Sequence, residues 1–251
     1  MADPLAFRSD LLPTEHFDRR FSEDNLAFWV PLLVEWGRIS SAVSVLDVGC
    51  GTGGFSRAIA DSTGARVTGL DLSEKFVEHA RRQGGAVDWV LGEAEALPFP
   101  RGSFDRVLLS LVLLQLADPL AAVTEAFSVL RPGGLVVVRT IAPEDVAGRI
   151  PERYLPTMAA ADAERLPRIE QIERWLREAG FERLETTRVL RNKRLSLAEA
   201  EHDLLGEVGG RYAFIPAKEL DEGLRRMRRD AASAGDWIDP RPTYFVVASR
   251  V

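Results

Sequence analysis

Cysteine is almost absent from this chain of 251 residues, and lysine and histidine are scarce. The chain has one cysteine, Cys50, three histidines, and three lysines among its 32 lysine and arginine residues. One cysteine cannot form an intramolecular disulfide, and no spacing of cysteine and histidine is typical of a metal-ligand set. We therefore expect neither a disulfide nor a bound metal, and the cysteine content favours a cytoplasmic protein.

Long apolar runs are also missing from the sequence. No segment approaches the roughly 18 consecutive apolar residues that a membrane helix needs, and the first ten residues, MADPLAFRSD, lack the apolar region of a signal peptide. No repeat and no low-complexity segment is present. These absences predict a soluble intracellular protein that does not interact with membranes.

An excess of basic charge is the third absence. The chain has 38 acidic residues against 32 lysines and arginines, which gives a formal net charge of −6. Surfaces that bind nucleic acids depend on lysine and arginine to neutralise phosphates. The charge balance therefore disfavours a nucleic-acid partner.

Short β-branched segments alternate with segments of helical periodicity. Strands are predicted at 44–49, 66–71, 87–92, 104–110 and 134–140, with two more near 181–190 and 243–251. Helical apolar spacing between the strands predicts a parallel sheet with helices on both faces, which is an α/β fold. Ser73 is a predicted N-cap, Asp118 with Pro119 predicts another helix start, and a further helix is expected over 168–180.

Two regions fit no strand pattern and are predicted to be helical additions. They are residues 1–40 and residues from about 192 to 240. No linker rich in proline or serine separates them from the strands. We therefore predict an N-terminal helical lid over 1–40 and a main domain over 41–251 that carries the second addition as an insertion.

A glycine-rich segment joins the first predicted strand to a helix. Residues 49–54 read Gly-Cys-Gly-Thr-Gly-Gly, and such glycines permit a sharp turn and close approach of a ligand to the N–H groups of the helix. The segment satisfies both GxGxG and GxGxxG, so it fits a nicotinamide site as well as other nucleoside sites. Asp71, at the end of the next strand, fits a carboxylate that accepts both ribose hydroxyls in either case.

The tyrosines decide between these two interpretations. A short-chain dehydrogenase needs a tyrosine with a lysine four residues later, which activates the phenol as a proton donor. The residues at that spacing are Met158, Pro216 and Ala248, so the dehydrogenase interpretation lacks its proton donor. Cys50 has no basic neighbour placed to ionise it, and we interpret it as a small buried spacer.

Four motifs follow one another along the chain: VLDVGCGTGGFS (45–56), VTGLDLS (67–73), GEAEALPFPRGSFDRVLLS (92–110) and LRPGGLVVV (130–138). Together they resemble the class I S-adenosylmethionine-dependent methyltransferases, above all the subgroup that acts on quinones and other small molecules. The resemblance covers about 45–140 in order and is looser from 168 onward. It implies a Rossmann-like, doubly wound, mostly parallel seven-stranded sheet with an antiparallel final strand. It also implies S-adenosylmethionine as cofactor and S-adenosylhomocysteine as product.

The resemblance further implies which residues hold the cofactor. Asp71 would bind the ribose, Leu72 would pack on the adenine, and Ser110 would offer a carbonyl to the methionine amine. Glu93 and the N–H of Ala94 would recognise the adenine. With the loop aspartate and glycines, the expected set is Asp47, Gly49, Gly51, Gly53, Asp71, Leu72, Glu93, Ala94 and Ser110.

The sequence offers no clear catalytic base. Methyl transfer from a sulfonium is an in-line displacement, which alignment of the reacting atoms can accelerate. Many relatives carry one or two histidines after the fourth strand, where this chain has the apolar stretch 113–116, Leu-Leu-Gln-Leu. The candidates that remain are His16, His202 and Tyr154, whereas His79 is interpreted as a solvated surface residue beside two arginines.

The acceptor is expected to be a small, largely apolar metabolite that is methylated at O, N or C. Selectivity in this fold class depends on additions at the carboxyl ends of the strands. The candidate pocket residues are Phe17, Phe21, Trp29, Arg153, Tyr154, Met158, Tyr212 and Phe214. We expect a monomer or a homodimer.

Three alternatives stay open on the same cofactor. An RNA or protein methyltransferase would predict an appended binding domain or a basic channel. A cyclase or rearrangement enzyme would use the cofactor structurally, and a regulator would bind it without catalysis.

Overall fold

Seven strands form one sheet, as predicted from the sequence. They are β1 (Ser44–Val48), β2 (Arg66–Asp71), β3 (Val87–Leu91), β4 (Phe104–Ser110), β5 (Leu130–Thr140), β6 (Glu182–Leu195) and β7 (Trp237–Ser249). Their order is β3-β2-β1-β4-β5-β7-β6. The neighbours from β3 to β5 are parallel, and β7 is antiparallel to β5. The predicted doubly wound, mostly parallel sheet with an antiparallel final strand is confirmed.

The structure is a computed structural model that describes Thr14, Asp18 and residues 21–209, 212–234 and 237–251. Its helices are α1 (Glu23–Trp36), α2 (Gly54–Thr63), α3 (Glu74–Arg82), α4 (Pro119–Val129), α5 (Ile150–Tyr154), α6 (Pro156–Arg165), α7 (Ile169–Glu178), α8 (Leu197–Gly209) and α9 (Ala217–Ala234). No helix of the described residues combines the length and the apolarity that crossing a membrane requires.

Two helix starts follow the local chemistry that the sequence predicts. The Ser73 hydroxyl accepts a hydrogen bond from the N–H of Phe76 and caps α3, and the Asp118 carboxylate accepts one from the N–H of Ala121 at the start of α4. Pro119 follows Asp118 at the first position of α4, where its missing N–H costs no hydrogen bond. Both predicted caps are therefore present.

Strand β5 begins four residues earlier than its apolar run predicts. Leu130 pairs with Phe104, and a register shift between Phe104 and Arg106 accommodates the intervening turn. Gly133 in that turn has a φ of 78°, a conformation that glycine adopts without strain. The strand therefore resumes at Leu135 on the far side of a bulge.

The chain divides into two units whose boundaries differ from the predicted ones. Among the described residues, the sheet unit comprises those up to Thr140 together with Ile169–Thr187 and Tyr244–Val251, and the helical unit comprises those within Ile141–Arg168 and Arg188–Thr243. Helix α1, which falls within the expected lid over 1–40, buries Trp29 and Leu33 in the sheet unit. The Trp29 and Trp36 rings both contact Phe245 of β7.

The helical unit has its own apolar core. The buried members are Ile150, Tyr154, Leu155, Met158, Leu195, Ala200, Leu204, Tyr212, Ile215, Met227 and Trp237. Residues 141–168 supply four of these side chains, namely Ile150, Tyr154, Leu155 and Met158, and the predicted insertion at about 192–240 supplies the others. The unit needs residues 141–168 to complete its core.

Candidate functional site

The glycine loop at 49–53 wraps around the end of β2. The N–H groups of Gly49 and Cys50 both donate to the carbonyl of Leu70, at 2.7 and 3.0 Å. Gly49, Gly51 and Gly53 have φ values of 71°, 57° and 80°, which other residues adopt only with strain. The backbone alone therefore explains why three glycines alternate here.

The four glycines of the segment differ in what lies beside them. A Cβ at Gly49 would stand 2.6 Å from Val112, one at Gly53 would stand 2.2 Å from Trp89, and one at Gly54 would stand 2.1 Å from Phe21. Among the described residues, no heavy atom would lie within 4 Å of a Cβ at Gly51. Gly51 therefore leaves open space at the loop, as close approach of a ligand requires.

Asp71 connects the end of β2 to this open position. Its Oδ2 accepts a hydrogen bond from the N–H of Gly51 at 2.8 Å, and its Oδ1 accepts one from the N–H of Ser73 at 2.9 Å. Burial raises the pKa of Asp71, and these backbone hydrogen bonds oppose the rise. A carboxylate has about four lone-pair sites, so Asp71 keeps acceptor capacity for a ribose hydroxyl beside its backbone hydrogen bonds from Gly51, Leu72 and Ser73.

Leu72 and the residues after β3 flank Asp71. The Leu72 side chain is 69% exposed, which leaves an apolar surface for a flat ring. Glu93 is exposed and Ala94 is buried, and a single bridge between Glu93 and Ala96 fixes the turn that follows β3. The predicted adenine contacts stay predictions, and the exposure of Leu72 and Glu93 is compatible with them.

Asp47 lies buried at the end of β1. Its Oδ2 accepts a hydrogen bond from the Ser56 hydroxyl of α2 at 2.6 Å. Burial raises the pKa of Asp47 to about 6, although Ser56 and Arg139 lower it. The Oγ1 atom of Thr52, in the same loop, is fully buried and has no hydrogen-bond partner among the described residues.

Strand register places several of these groups on one face of the sheet. Asp47 is in register with Gly69 on one side and with Leu108 on the other, and Gly69 is in register with Trp89. Because Gly69 has no side chain, the Trp89 ring lies across β2 and reaches Gly53. The Trp89 ring therefore packs against the glycine loop at Gly53.

Arg139 lies on this same face at the carboxyl end of β5. Its register partner is Ser110 at the end of β4. The guanidinium carbon lies 4.9 Å from the centroid of the Trp29 ring and 4.8 Å from that of Phe55, and the side chain is 6% exposed. Arg139 is thus a buried cation held by two aromatic rings, one of which follows directly after the glycine loop.

The turn after β4 carries a strained residue. Leu111 has a φ of 59°, which costs a residue with a side chain roughly 1–2 kcal/mol. Its N–H donates to the carbonyl of Arg139 at 2.8 Å, and its carbonyl accepts from the Gln115 amide at 2.7 Å. Leu113 and Leu114 of the predicted apolar stretch are buried, and Gln115 stabilises the turn.

The interpretation of His79 as a solvated residue was wrong. His79 is buried, and its Nε2 lies 2.8 Å from the Asp18 carboxylate. Phe21 lies against Gly54 and packs edge-to-face on Phe55. Phe21 therefore contacts residues directly after the glycine loop, and Asp18 contacts α3, whereas His16 and Phe17 lie outside the described residues.

The other acceptor and base candidates lie in the helical unit. Tyr154, Met158 and Tyr212 belong to its core, Phe214 is 39% exposed, and Arg153 is exposed. The hydroxyl of Tyr154 donates to Asp230 at 2.9 Å, and burial raises its pKa, which disfavours the phenolate. His202 is exposed on α8. The proposed roles of these residues stay predictions.

Sequence reasoning did not identify Arg139, Trp89 or Ser56 as members of the site. Arg139 gave a usable signal, because it is a charged residue at the end of an apolar strand, VVVRT. Such a position in an α/β fold lies at the edge where ligands bind. Trp89 and Ser56 gave no comparable signal, since each depends on a partner from another strand or helix.

Known proteins resemble this chain in sequence and in fold. The family described as "Methyltransferase domain" matches residues 46–138. An O-methyltransferase of Penicillium expansum, cnsE, is 32% identical over 71% of this chain and 68% of its own length. A malonyl-[acyl-carrier protein] O-methyltransferase of Erwinia pyrifoliae is 42% identical over 43% of this chain. The chain spans only 41% of the length of that relative.

A solved structure resembles the whole fold. A protein from an antibiotic biosynthesis pathway of Anabaena variabilis superposes with a TM-score of 0.72, covers 88% of this chain and 96% of its own, and is 20% identical. At that identity the likeness concerns the fold alone.

Proposed function

Because the chain belongs to the class I S-adenosylmethionine-dependent methyltransferases, we propose that it transfers a methyl group to an oxygen atom of a small, largely apolar metabolite. The observation that carries this proposal is the open space at Gly51 beside the Asp71 carboxylate. Oxygen is favoured over nitrogen and carbon because the relatives from Penicillium expansum and Erwinia pyrifoliae are both named O-methyltransferases.

The residues at the strand ends fit the parts of the cofactor in order. Asp71 would accept from the ribose hydroxyls, Leu72 would pack on the adenine, and Glu93 with the Ala94 N–H would bind its polar edge. Asp47 and Ser110, nearer the centre of the sheet, would face the amino-acid end. When bound, the cofactor supplies an electrophilic methyl group on a sulfonium, whose sulfur leaves as a neutral thioether.

The contribution of the chain to the reaction is alignment and exclusion of water. The ordered loop and the buried Asp47 fix the cofactor side, so the acceptor oxygen need only be held in line with the methyl group. An acceptor hydroxyl must also lose its proton. We assign no residue to that step, and an acidic phenol or carboxyl acceptor would need no dedicated base.

The charge of the chain supports a small acceptor over a polyanion. The net charge is −6, whereas a surface for RNA needs a concentration of cations. RNA and protein acceptors, a cyclisation and a non-catalytic role are therefore alternative outcomes of the experiment below.

The first experiment measures which nucleoside binds. Thermal unfolding with S-adenosylhomocysteine should show stabilisation, and NAD should give none, because a ligand of the folded state raises its stability. Stabilisation by NAD alone would contradict the cofactor assignment. The protein would then be incubated with methyl-labelled cofactor and separate metabolite, RNA and protein fractions of a cell extract, and we expect label only in metabolites.

A further inference from the structure

Arg139 is a buried cation at the carboxyl end of β5. We propose that Arg139 binds the carboxylate of the cofactor's amino-acid end. This inference rests on the proposed function and deepens it, since it adds a binding residue on the side of the site opposite the adenine.

The position of Arg139 along the sheet edge supports the assignment. The predicted adenine contacts Glu93 and Ala94 follow β3, and the predicted ribose contact Asp71 ends β2. Asp47 is the penultimate residue of β1, and Ser110 ends β4. Arg139 is the register partner of Ser110 on β5. The side chains of Asp47, Ser110 and Arg139 share one face of the sheet. In this arrangement the cofactor would extend from the end of β3 towards the end of β5, and its amino-acid carboxylate would reach Arg139.

The aromatic contacts of Arg139 hold its guanidinium in the site. Trp29 and Phe55 lie within 5 Å of the guanidinium carbon. A guanidinium carries its N–H donors in a planar fork that matches a carboxylate. Since Phe55 belongs to the first turn of α2, any shift of the glycine loop also moves this aromatic contact.

The charges of the site match a zwitterion. The amino-acid end of the cofactor carries an ammonium and a carboxylate, and Asp47 and Arg139 offer the two complementary charges. They are close enough for Arg139 to lower the pKa of Asp47. Arg57, another arginine near the loop, lies 5.8 Å from the Trp89 ring on the β3 side. That is the opposite end of the ligand path.

The test compares two ligands that differ only in the carboxylate. Binding of S-adenosylhomocysteine and of its decarboxylated analogue is measured by titration calorimetry for the wild type, Arg139→Met and Arg139→Lys. The matched control is Arg57→Met, which removes a nearby arginine from the other side. Circular dichroism and the unfolding temperature report whether each variant folds.

We expect Arg139→Met to weaken S-adenosylhomocysteine at least about tenfold, which corresponds to roughly 1.4 kcal/mol, and to change the analogue less than about twofold. Arg139→Lys keeps the charge without the forked donors, and it should cause a smaller loss of affinity for S-adenosylhomocysteine with little change for the analogue. This variant tests the proposal if Arg139→Met does not fold. Arg57→Met should leave the ratio of the two affinities unchanged. Equal losses for both ligands in either Arg139 variant would overturn the proposal. If the wild type binds neither ligand, the proposed function itself fails.

Discussion

The Oδ2 atom of Asp71 accepts a hydrogen bond from the N–H of Gly51 at 2.8 Å. This contact joins the end of β2 to a glycine that faces open space among the described residues. A side chain that would hold a ribose thus also fixes the backbone beside it. The site is therefore partly preorganised by hydrogen bonds within the chain, and ligand binding need not order the loop first.

Replacement of Asp71 by alanine should weaken binding of S-adenosylhomocysteine by about 1–3 kcal/mol, because ribose hydroxyls in the site would lose their acceptor. Titration calorimetry measures the change. Asp88→Ala is the matched control, since Asp88 is an exposed aspartate on the adjacent strand, and it should bind like the wild type. Unchanged affinity in Asp71→Ala would show that this carboxylate serves the turn alone.

The glycines of the loop should respond differently to alanine. Gly51→Ala introduces backbone strain of roughly 1–2 kcal/mol and places a methyl group in the open space, so we expect modest destabilisation and at least about tenfold weaker S-adenosylhomocysteine binding. Gly53→Ala adds a clash with Trp89, which costs roughly 1–3 kcal/mol more. Urea unfolding and calorimetry separate the two effects.

Gly102 provides the control for strain without a ligand. It has a φ of 67°, and a Cβ there would meet no atom of the part of the chain that the structure describes within 4 Å. Gly102→Ala should therefore destabilise the protein as Gly51→Ala does and leave binding unchanged. If Gly51→Ala and Gly102→Ala bound S-adenosylhomocysteine equally well, the proposal that the ligand approaches the backbone at Gly51 would be contradicted.

Local chemistry made much of the fold predictable. Ser73 and Asp118 cap helices through hydrogen bonds to N–H groups three residues away, so a short window of sequence contains the whole interaction. The apolar run of β1 and the glycines after it are equally local. The doubly wound arrangement and the antiparallel final strand came from the resemblance, which carries long-range information that periodicity lacks.

Long-range partners explain what the sequence did not reveal. His79 lies two positions before Arg81 on the amphipathic helix α3, and its partner Asp18 lies 61 residues earlier in the chain. Arg139 depends on rings from α1 and α2, and Gly53 is required as much by Trp89 of β3 as by a ligand. In each case the decisive contact joins elements that only the folded chain brings together.

Cys50 should react slowly with thiol reagents in the native protein. Its side chain is 5% exposed, and burial raises the pKa of the thiol well above its usual value, so little thiolate is accessible. We expect labelling about a hundredfold slower than in urea, equivalent to a local opening of roughly 3 kcal/mol. Mass spectrometry follows the reaction, and bound S-adenosylhomocysteine should slow it further. Equal rates in the native and unfolded protein would show that the loop is open.

The helical unit should lose stability as the pH rises towards 7, because of Glu152. Its carboxyl is 4% exposed, and Oε1 contacts Arg149 at 3.0 Å. The Oε2 atom has no hydrogen-bond partner among the described residues. Burial raises the pKa of Glu152 from 4.5 to about 7; Arg149 opposes the rise, and Asp162 and Asp239 add to it. The folded state therefore holds a proton that the unfolded state releases at lower pH.

The sign of the effect follows from this difference in bound protons. A pKa raised in the folded state gives stability that is complete below about pH 4.5 and is lost as the pH passes 7. At about 1.4 kcal/mol per pKa unit, the loss of stability is on the order of 3 kcal/mol.

Glu152→Gln keeps an oxygen for Arg149 and cannot ionise, so the variant should be more stable than the wild type at about pH 8.5 and similar in stability at about pH 5. Urea unfolding at both pH values measures this, and Glu144→Gln, at an exposed glutamate of the same unit, should follow the wild type. A Glu152→Gln variant that is destabilised equally at both pH values would show that the carboxylate is needed in its charged form.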